Sequence, residues 1–251
     1  MNSDKTKIGD GSLSDKEAIR LTARDLMELH VEALFTCDSN KRLWLINEPW
    51  PGEAQAPRFF LGRTIEGGTL CRFRQDVPEE LIEQLEALCA DEPLVTDLRT
   101  KPKHFETYMA LLHGERFTMG PCFQIPDKLT TSMQVVTITR DNGMDYLQNG
   151  FEWLLSEIDY AQPCVALVRE GQAVSVCRSV RITLKAHEAG LETLEAFRGQ
   201  GYAAEAVAGW AAAVRESGAL PLYSTSWDNL ASQSVARKTA LSLYGANFTI
   251  T

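Results

Sequence analysis

The run Leu191-Glu-Thr-Leu-Glu-Ala-Phe-Arg-Gly-Gln-Gly-Tyr-Ala-Ala-Glu205 reads as a strand that turns through two glycines into a helix N-terminus. A turn of this kind leaves backbone N–H groups without helical partners at the positive end of the helix dipole. It therefore suits an anion, and the anion expected is the pyrophosphate of a coenzyme. Gly199 and Gly201 let a ligand come close to the main chain because they carry no side chain. The segment is not a dinucleotide fingerprint, since the third glycine and the following acidic strand end are missing. It also lacks the Lys-Ser/Thr pair of a nucleotide P-loop. Taken alone, it reads equally as an ordinary glycine turn capping a helix.

Residues farther along narrow the chemistry. Arg198 to Ala203 has the pattern Arg-x-x-Gly-x-Ala between strand and helix. Downstream stand Leu222-Tyr-Ser-Thr-Ser-Trp-Asp-Asn229, then Ala231-Ser232 and Val235-Ala-Arg-Lys238. Strand, asparagine, small residue three positions on and basic residue beyond follow in order. The two motifs together resemble the GNAT superfamily of N-acetyltransferases over about residues 130–251; the resemblance is silent on the first half. It implies an α/β (α+β) fold, a mixed twisted sheet flanked by helices, with acetyl-CoA as co-substrate. A smaller α/β domain, either its own fold or a degenerate GNAT-like half, would precede it.

Carried over residue by residue, the resemblance gives pantetheine contacts to the backbone of Leu191, Glu192 and Thr193. The pyrophosphate falls to the N–H groups of Gly199, Gln200, Gly201, Tyr202, Ala203 and Ala204. Arg198 would order the loop or meet a phosphate. Asn229 and Ser232 would bond the coenzyme from the other side of a splay between two strands; the other reading of Asn229, less favoured, is a second helix cap beside Asp228.

Acetyl transfer needs an amine in line with a thioester carbonyl, a route for its proton and an acid for the departing thiolate. The tyrosine that many GNAT enzymes place seven residues after the asparagine is here Ala236. Tyr223 is the candidate acid in its stead, with Tyr244 and Ser232 as further options. His187, Glu188 and Glu192 are the candidate bases, His187 by virtue of its unperturbed pKa. Each of these residues reads also as solvated or core-edge structure.

The composition narrows the partners. The 251 residues carry a formal net charge of −9, with no Lys/Arg run, so a nucleic-acid partner is not expected. No apolar run spans a membrane and the N-terminus is polar, so a cytoplasmic location is the expectation. The six cysteines form no Cys-x-x-Cys pair and the four histidines are scattered, so reduced thiols and no metal site are expected. A homodimer could form through an edge strand.

The elements that must position these residues follow from periodicity. Residues 1–14 read as a disordered tail. A capping box at Ser14–Glu17 opens a helix that carries His30 among its apolar positions. Strands are expected at 42–46, 58–62 and 69–73, a helix from Pro78 to about Cys89, and a short helix near 105–112. Residues 116–139 read as extended, and 143–158 as one helix. A hairpin over 162–184, a strand at 191–194 and a helix over 201–216 stopped by Gly218 come next. Then follow a strand at 221–225, a helix capped by Asp228 and ended by Gly245, and a closing strand. An N-terminal domain over 15–125 and an acetyl-CoA-binding domain over 130–251 are expected. Trp44/Trp50 and Phe59/Phe60 read as cleft lining or core, and Arg63, Arg72 and Arg74 as a substrate clamp or surface ion pairs. The function expected is transfer of an acetyl group to a primary amine of a small molecule or peptide. The alternative is a non-catalytic acyl-CoA-binding module, which Ala236 motivates.

Overall fold

The computed structural model describes residues 21–94 and 97–251; the expected tail and the capping box at Ser14–Glu17 lie outside the described residues. The first half holds α1 (Ala23–Leu34), β1 (Phe35–Cys37), β2 (Leu43–Ile46), β3 (Phe59–Thr64), β4 (Thr69–Phe73), α2 (Glu79–Ala90), α3 (Phe105–Leu111) and β5 (Phe117–Gln124). The second holds β6 (Val135–Thr137), α4 (Arg140–Tyr146), β7 (Cys164–Arg169), β8 (Gln172–Ile182), β9 (Ala186–Thr193), α5 (Tyr202–Glu216), β10 (Leu220–Ser224), α6 (Leu230–Lys238) and β11 (Ser242–Ile250).

Nine strands form one mixed sheet in the order β4-β3-β11-β5-β10-β9-β8-β7-β6, so the expected α/β class with helices on a mixed sheet is the one found. β9 and β10 are its parallel neighbours; the other adjacent strands run antiparallel. β5 precedes the expected boundary yet lies between β10 and β11, so the two halves of the chain share this sheet.

Alternate side chains of a strand face opposite sides, and the helices divide accordingly. On one face, α1 packs Leu26, Met27 and Val31 against Phe60, Ala186 and Leu222. On the other, α5 packs Ala206, Val207, Trp210, Ala211 and Val214 over Val165 and Cys177. α1 starts at Thr22, whose Oγ1 accepts from Asp25 N–H at 3.1 Å while the Asp25 carboxylate accepts from Thr22 N–H at 2.9 Å. α5 ends before Gly218, whose φ of 85° is the left-handed stop expected of it.

Three expectations need correction. The helix expected over 143–158 breaks into α4 and a 3₁₀ turn at Glu152–Ser156, because Asn149 (φ 59°) and Gly150 (φ 134°) turn the chain between them. The last helix stops at Lys238, well before Gly245. Ala240 takes φ 50°, and Leu241 N–H closes back on the Ala236 carbonyl at 2.9 Å. Its N-cap is Asn229 and not Asp228. Phe59 and Phe60 are core on opposite faces of β3, whereas Trp44 is 56% exposed. Arg72 pairs with Glu28 and Arg74 with Asp76. Arg63 is buried and donates to the carbonyls of Leu98 and Thr100.

Candidate functional site

The site starts where two strands part. β9 and β10 are in register at Ala186–Leu220, His187–Pro221 and Glu188–Leu222. Beyond that rung β9 runs on to Thr193 beside β8, while Tyr223 and Ser224 of β10 pair with β5. The β10-facing edge of β9 is thus left open from Ala189 onward. An exposed strand edge offers main-chain donors and acceptors to anything extended enough to lie along it.

The open edge leads directly into the glycine loop. Gly199 (φ 81°) and Gly201 (φ 85°) are left-handed, and a Cβ on either would meet nothing within 4 Å. The five N–H groups from Gly199 to Ala203 have no partner among the described residues. They therefore point a set of unsatisfied donors outward at the start of α5, as the sequence requires. Arg198 Nε donates to the Thr193 carbonyl at 3.3 Å, which ties the loop to the end of β9. Glu205, in the first turn of α5, accepts from the Ser132 hydroxyl at 2.6 Å and from Ser132 and Met133 N–H. Burial opposes its charge, but these bonds hold its carboxyl below the usual range.

A cleft of about 400 Å³ joins these features. Leu191, Glu192, Thr193, Arg198, Gly199, Gly201, Tyr202, Ala203, Ala204, Asn229 and Ser232 all line it. Of the expected coenzyme residues, Gln200 alone does not. Phe197, Ala231, Ser234, Val235 and Lys238 complete the wall, Lys238 bringing a cation to it. Asn229 Oδ1 accepts from Ser232 N–H at 3.0 Å, so it caps α6 and also lines the cleft, and its amide nitrogen is left for a ligand. A run of free N–H groups with two cations and no Cβ in the way fits a pyrophosphate.

The chain folds as helices on both faces of one mixed sheet, as the resemblance implies. Parallel strands that part beside a strand–glycine–helix anion loop are the arrangement that the resemblance implies. Neither a family model nor a curated protein matches the chain. Among solved structures, it is similar to a GCN5-related N-acetyltransferase from Kribbella flavida, at 14% identity over 93% of this chain and 96% of that one, with a TM-score of 0.47. An acetyltransferase of the GNAT family from Colwellia psychrerythraea shares 14% identity over 76% and 81% of the two chains, with a TM-score of 0.46. A GCN5-related N-acetyltransferase-like protein from Streptococcus suis shares 16% over 80% and 87%, with a TM-score of 0.43.

The candidate acid and bases are not brought together. Glu192 is exposed and lines the cleft. His187 faces α5, where its Nδ1 meets the Ser179 hydroxyl at 2.9 Å and Trp210 Nε1 donates to the same oxygen at 3.1 Å. Burial lowers its pKa, so the imidazole is neutral. Tyr223 is buried and donates to the Ser232 carbonyl at 3.3 Å; burial pushes its phenol up to about 12. Tyr244 is buried as well, with its hydroxyl unpartnered among the described residues.

Glu188 faces the opposite side from His187, toward α1. It is 2% exposed, and its Oε1 lies 2.5 Å from His30 Nδ1. Its Oε2 accepts from the Ser224 hydroxyl at 3.0 Å. Ser224 lies two residues beyond the last β9–β10 rung, so the carboxylate leans into the parting of the strands. His30 Nε2 meets the Asn247 amide at 2.9 Å and Cys122 Sγ at 3.5 Å. Burial alone would lower the imidazole pKa, but the neighbouring Cys122 and Glu188 outweigh it and raise the pKa to about 10. Sequence reasoning overlooked this cluster. The signal available was His30, a polar residue at an apolar position of its helix.

Proposed function

We propose that the protein is an acetyl-CoA-dependent N-acetyltransferase that acts on a primary amine. One observation carries this reading: the open edge of β9 and four of the five residues with unsatisfied N–H groups, Gly199, Gly201, Tyr202 and Ala203, line one cleft. The edge suits the amide-bearing arm of a coenzyme and the loop its pyrophosphate, with Arg198 and Lys238 balancing the charge. In the transfer, the amine nitrogen bonds to the thioester carbonyl carbon and the C–S bond breaks. One amine proton leaves, and the thiolate sulfur takes up a proton from solvent. Glu188 is the acceptor we favour for the departing proton, reached through the Ser224 hydroxyl at the parting of the strands. Its other oxygen is occupied by His30, so one face of the carboxylate is left to the reaction.

A thiol-release assay with a panel of amines tests the reading. Acetyl-CoA-dependent release that needs an amine is expected. One observation favours a second reading, a non-catalytic acyl-CoA-binding module: Ala236 stands where the resemblance implies a tyrosine, and Tyr223 bonds to backbone. Coenzyme A binding by calorimetry with no turnover on any amine would select that module. Absence of binding would remove both.

A further inference from the structure

Two elements of the first half of the chain reach the parting of the strands: β5, which pairs with Tyr223 and Ser224, and α1, through His30. This imidazole is fully buried and shares Glu188 with the Ser224 hydroxyl. A carboxylate this deeply buried is costly unless its charge is matched and its lone pairs are used. His30 does the first and, with Ser224, the second. The remaining groups that face the pair come from three strands. Arg181 of β8 adds positive charge toward Glu188 and is itself 3.8 Å from Glu48. Cys122 of β5 and Asn247 of β11 hold the far imidazole nitrogen. The Tyr244 ring stands edge-on to it, 6.4 Å between centroids.

A purely structural pair would not need a carboxylate at this rung. Leu222 across from it and Ala186 two residues before it are apolar and buried, and an apolar residue of similar size would be the cheaper filling. What the pair adds is a carboxylate of fixed orientation at the point where the strands part. We propose that His30 is a positioning residue for Glu188: the N-terminal helix supplies the partner that occupies one oxygen of this carboxylate and keeps the other turned toward Ser224 for proton transfer. The inference rests on the acetyltransferase reading.

The test is the pH dependence of amine acetylation by the full chain in three variants. His30→Gln keeps a hydrogen-bonding group but removes the cation. Its kcat at pH 7 should fall at least tenfold while KM for acetyl-CoA stays within twofold. The acidic limb of its kcat profile should move up, since a buried carboxylate that loses a matching neighbour holds its proton more tightly. In a Glu188→Gln background, His30→Gln should cost no further kcat beyond twofold, because it acts through the carboxylate. Asn247→Ala touches only the far imidazole nitrogen and should move the limb the same way by less; it serves where His30→Gln does not fold. An unmoved limb with wild-type kcat in either folded variant overturns the inference, as does full activity in Glu188→Gln. Wild-type protein that binds coenzyme A yet acetylates no amine removes the transferase reading and this inference together. Wild-type turnover with an unmoved limb removes this inference alone.

Discussion

The glycine-loop cleft and the buried polar cluster lie at the two ends of one strand segment, and they are built by opposite means. The cleft is made largely of main chain: free N–H groups after two left-handed glycines and the open edge of β9. Its parts lie within about fifty residues of sequence, from Leu191 to Lys238. The cluster is made of side chains from α1, β5, β9, β10 and β11, numbered from 30 to 247. Its imidazole and carboxylate are buried, and each of its polar groups is bonded to another. A backbone site tolerates much change in side chain and is recognisable by pattern. A buried side-chain site tolerates little and follows no local pattern.

The contrast can be broken by substitution. The largest effect on stability is expected in the cluster. Glu188→Ala leaves a buried imidazolium without its counter-charge and should lower unfolding free energy by about 3–5 kcal/mol in urea titration. A loss under about 1 kcal/mol would show that the pair is not the buried, matched unit described. In the cleft the largest effect is on binding. Gly201→Glu puts a carboxylate and a side chain where the free N–H groups point, and should weaken coenzyme A binding at least about 100-fold by calorimetry. Normal binding would sink the loop assignment.

Smaller effects sharpen the same contrast. The raised His30 pKa stabilises the fold fully below about pH 6.5, its unfolded value, and this contribution fades as pH rises through about 10. The Tm gap between wild type and His30→Gln should therefore be widest near pH 6 and narrow steadily toward pH 10. A gap that widens with pH would contradict the assignment. Asn229→Ala removes the α6 cap and should cost about 1 kcal/mol of stability with a several-fold rise in coenzyme A Kd. Stability loss without any change in Kd would make Asn229 a cap alone. Arg198→Ala, which frees the loop from Thr193, should change Kd by only about two- to fivefold.

Much of the cleft could be read from residues alone. Two glycines between a strand and a helix specify a left-handed turn and free N–H groups wherever they occur, because only glycine enters that region without strain. Gly218 stopped α5 where expected for the same reason. The misread helices have a related cause. Asn149 and Ala240 adopt left-handed φ without being glycine, so periodicity carried each helix past its true end. Asp228 and Asn229 are equivalent as caps by composition; the geometry of the β10–α6 turn selected Asn229. His187 and Glu188 are neighbours in sequence, and neither residue type reveals which faces the core and which the parting of the strands. The strand's alternation settles that once α1 and α5 occupy opposite faces.

Residue types and spacing by themselves determined the loop with its free N–H groups, the flanking strand and helix and the mixed α/β class, because each rests on local backbone preferences. Tertiary structure alone decided that β5 stands between β10 and β11, and that His30 meets Glu188 across 158 positions of chain. Such contacts are set by how whole layers pack, and a buried charge finds its partner only after the layers have closed.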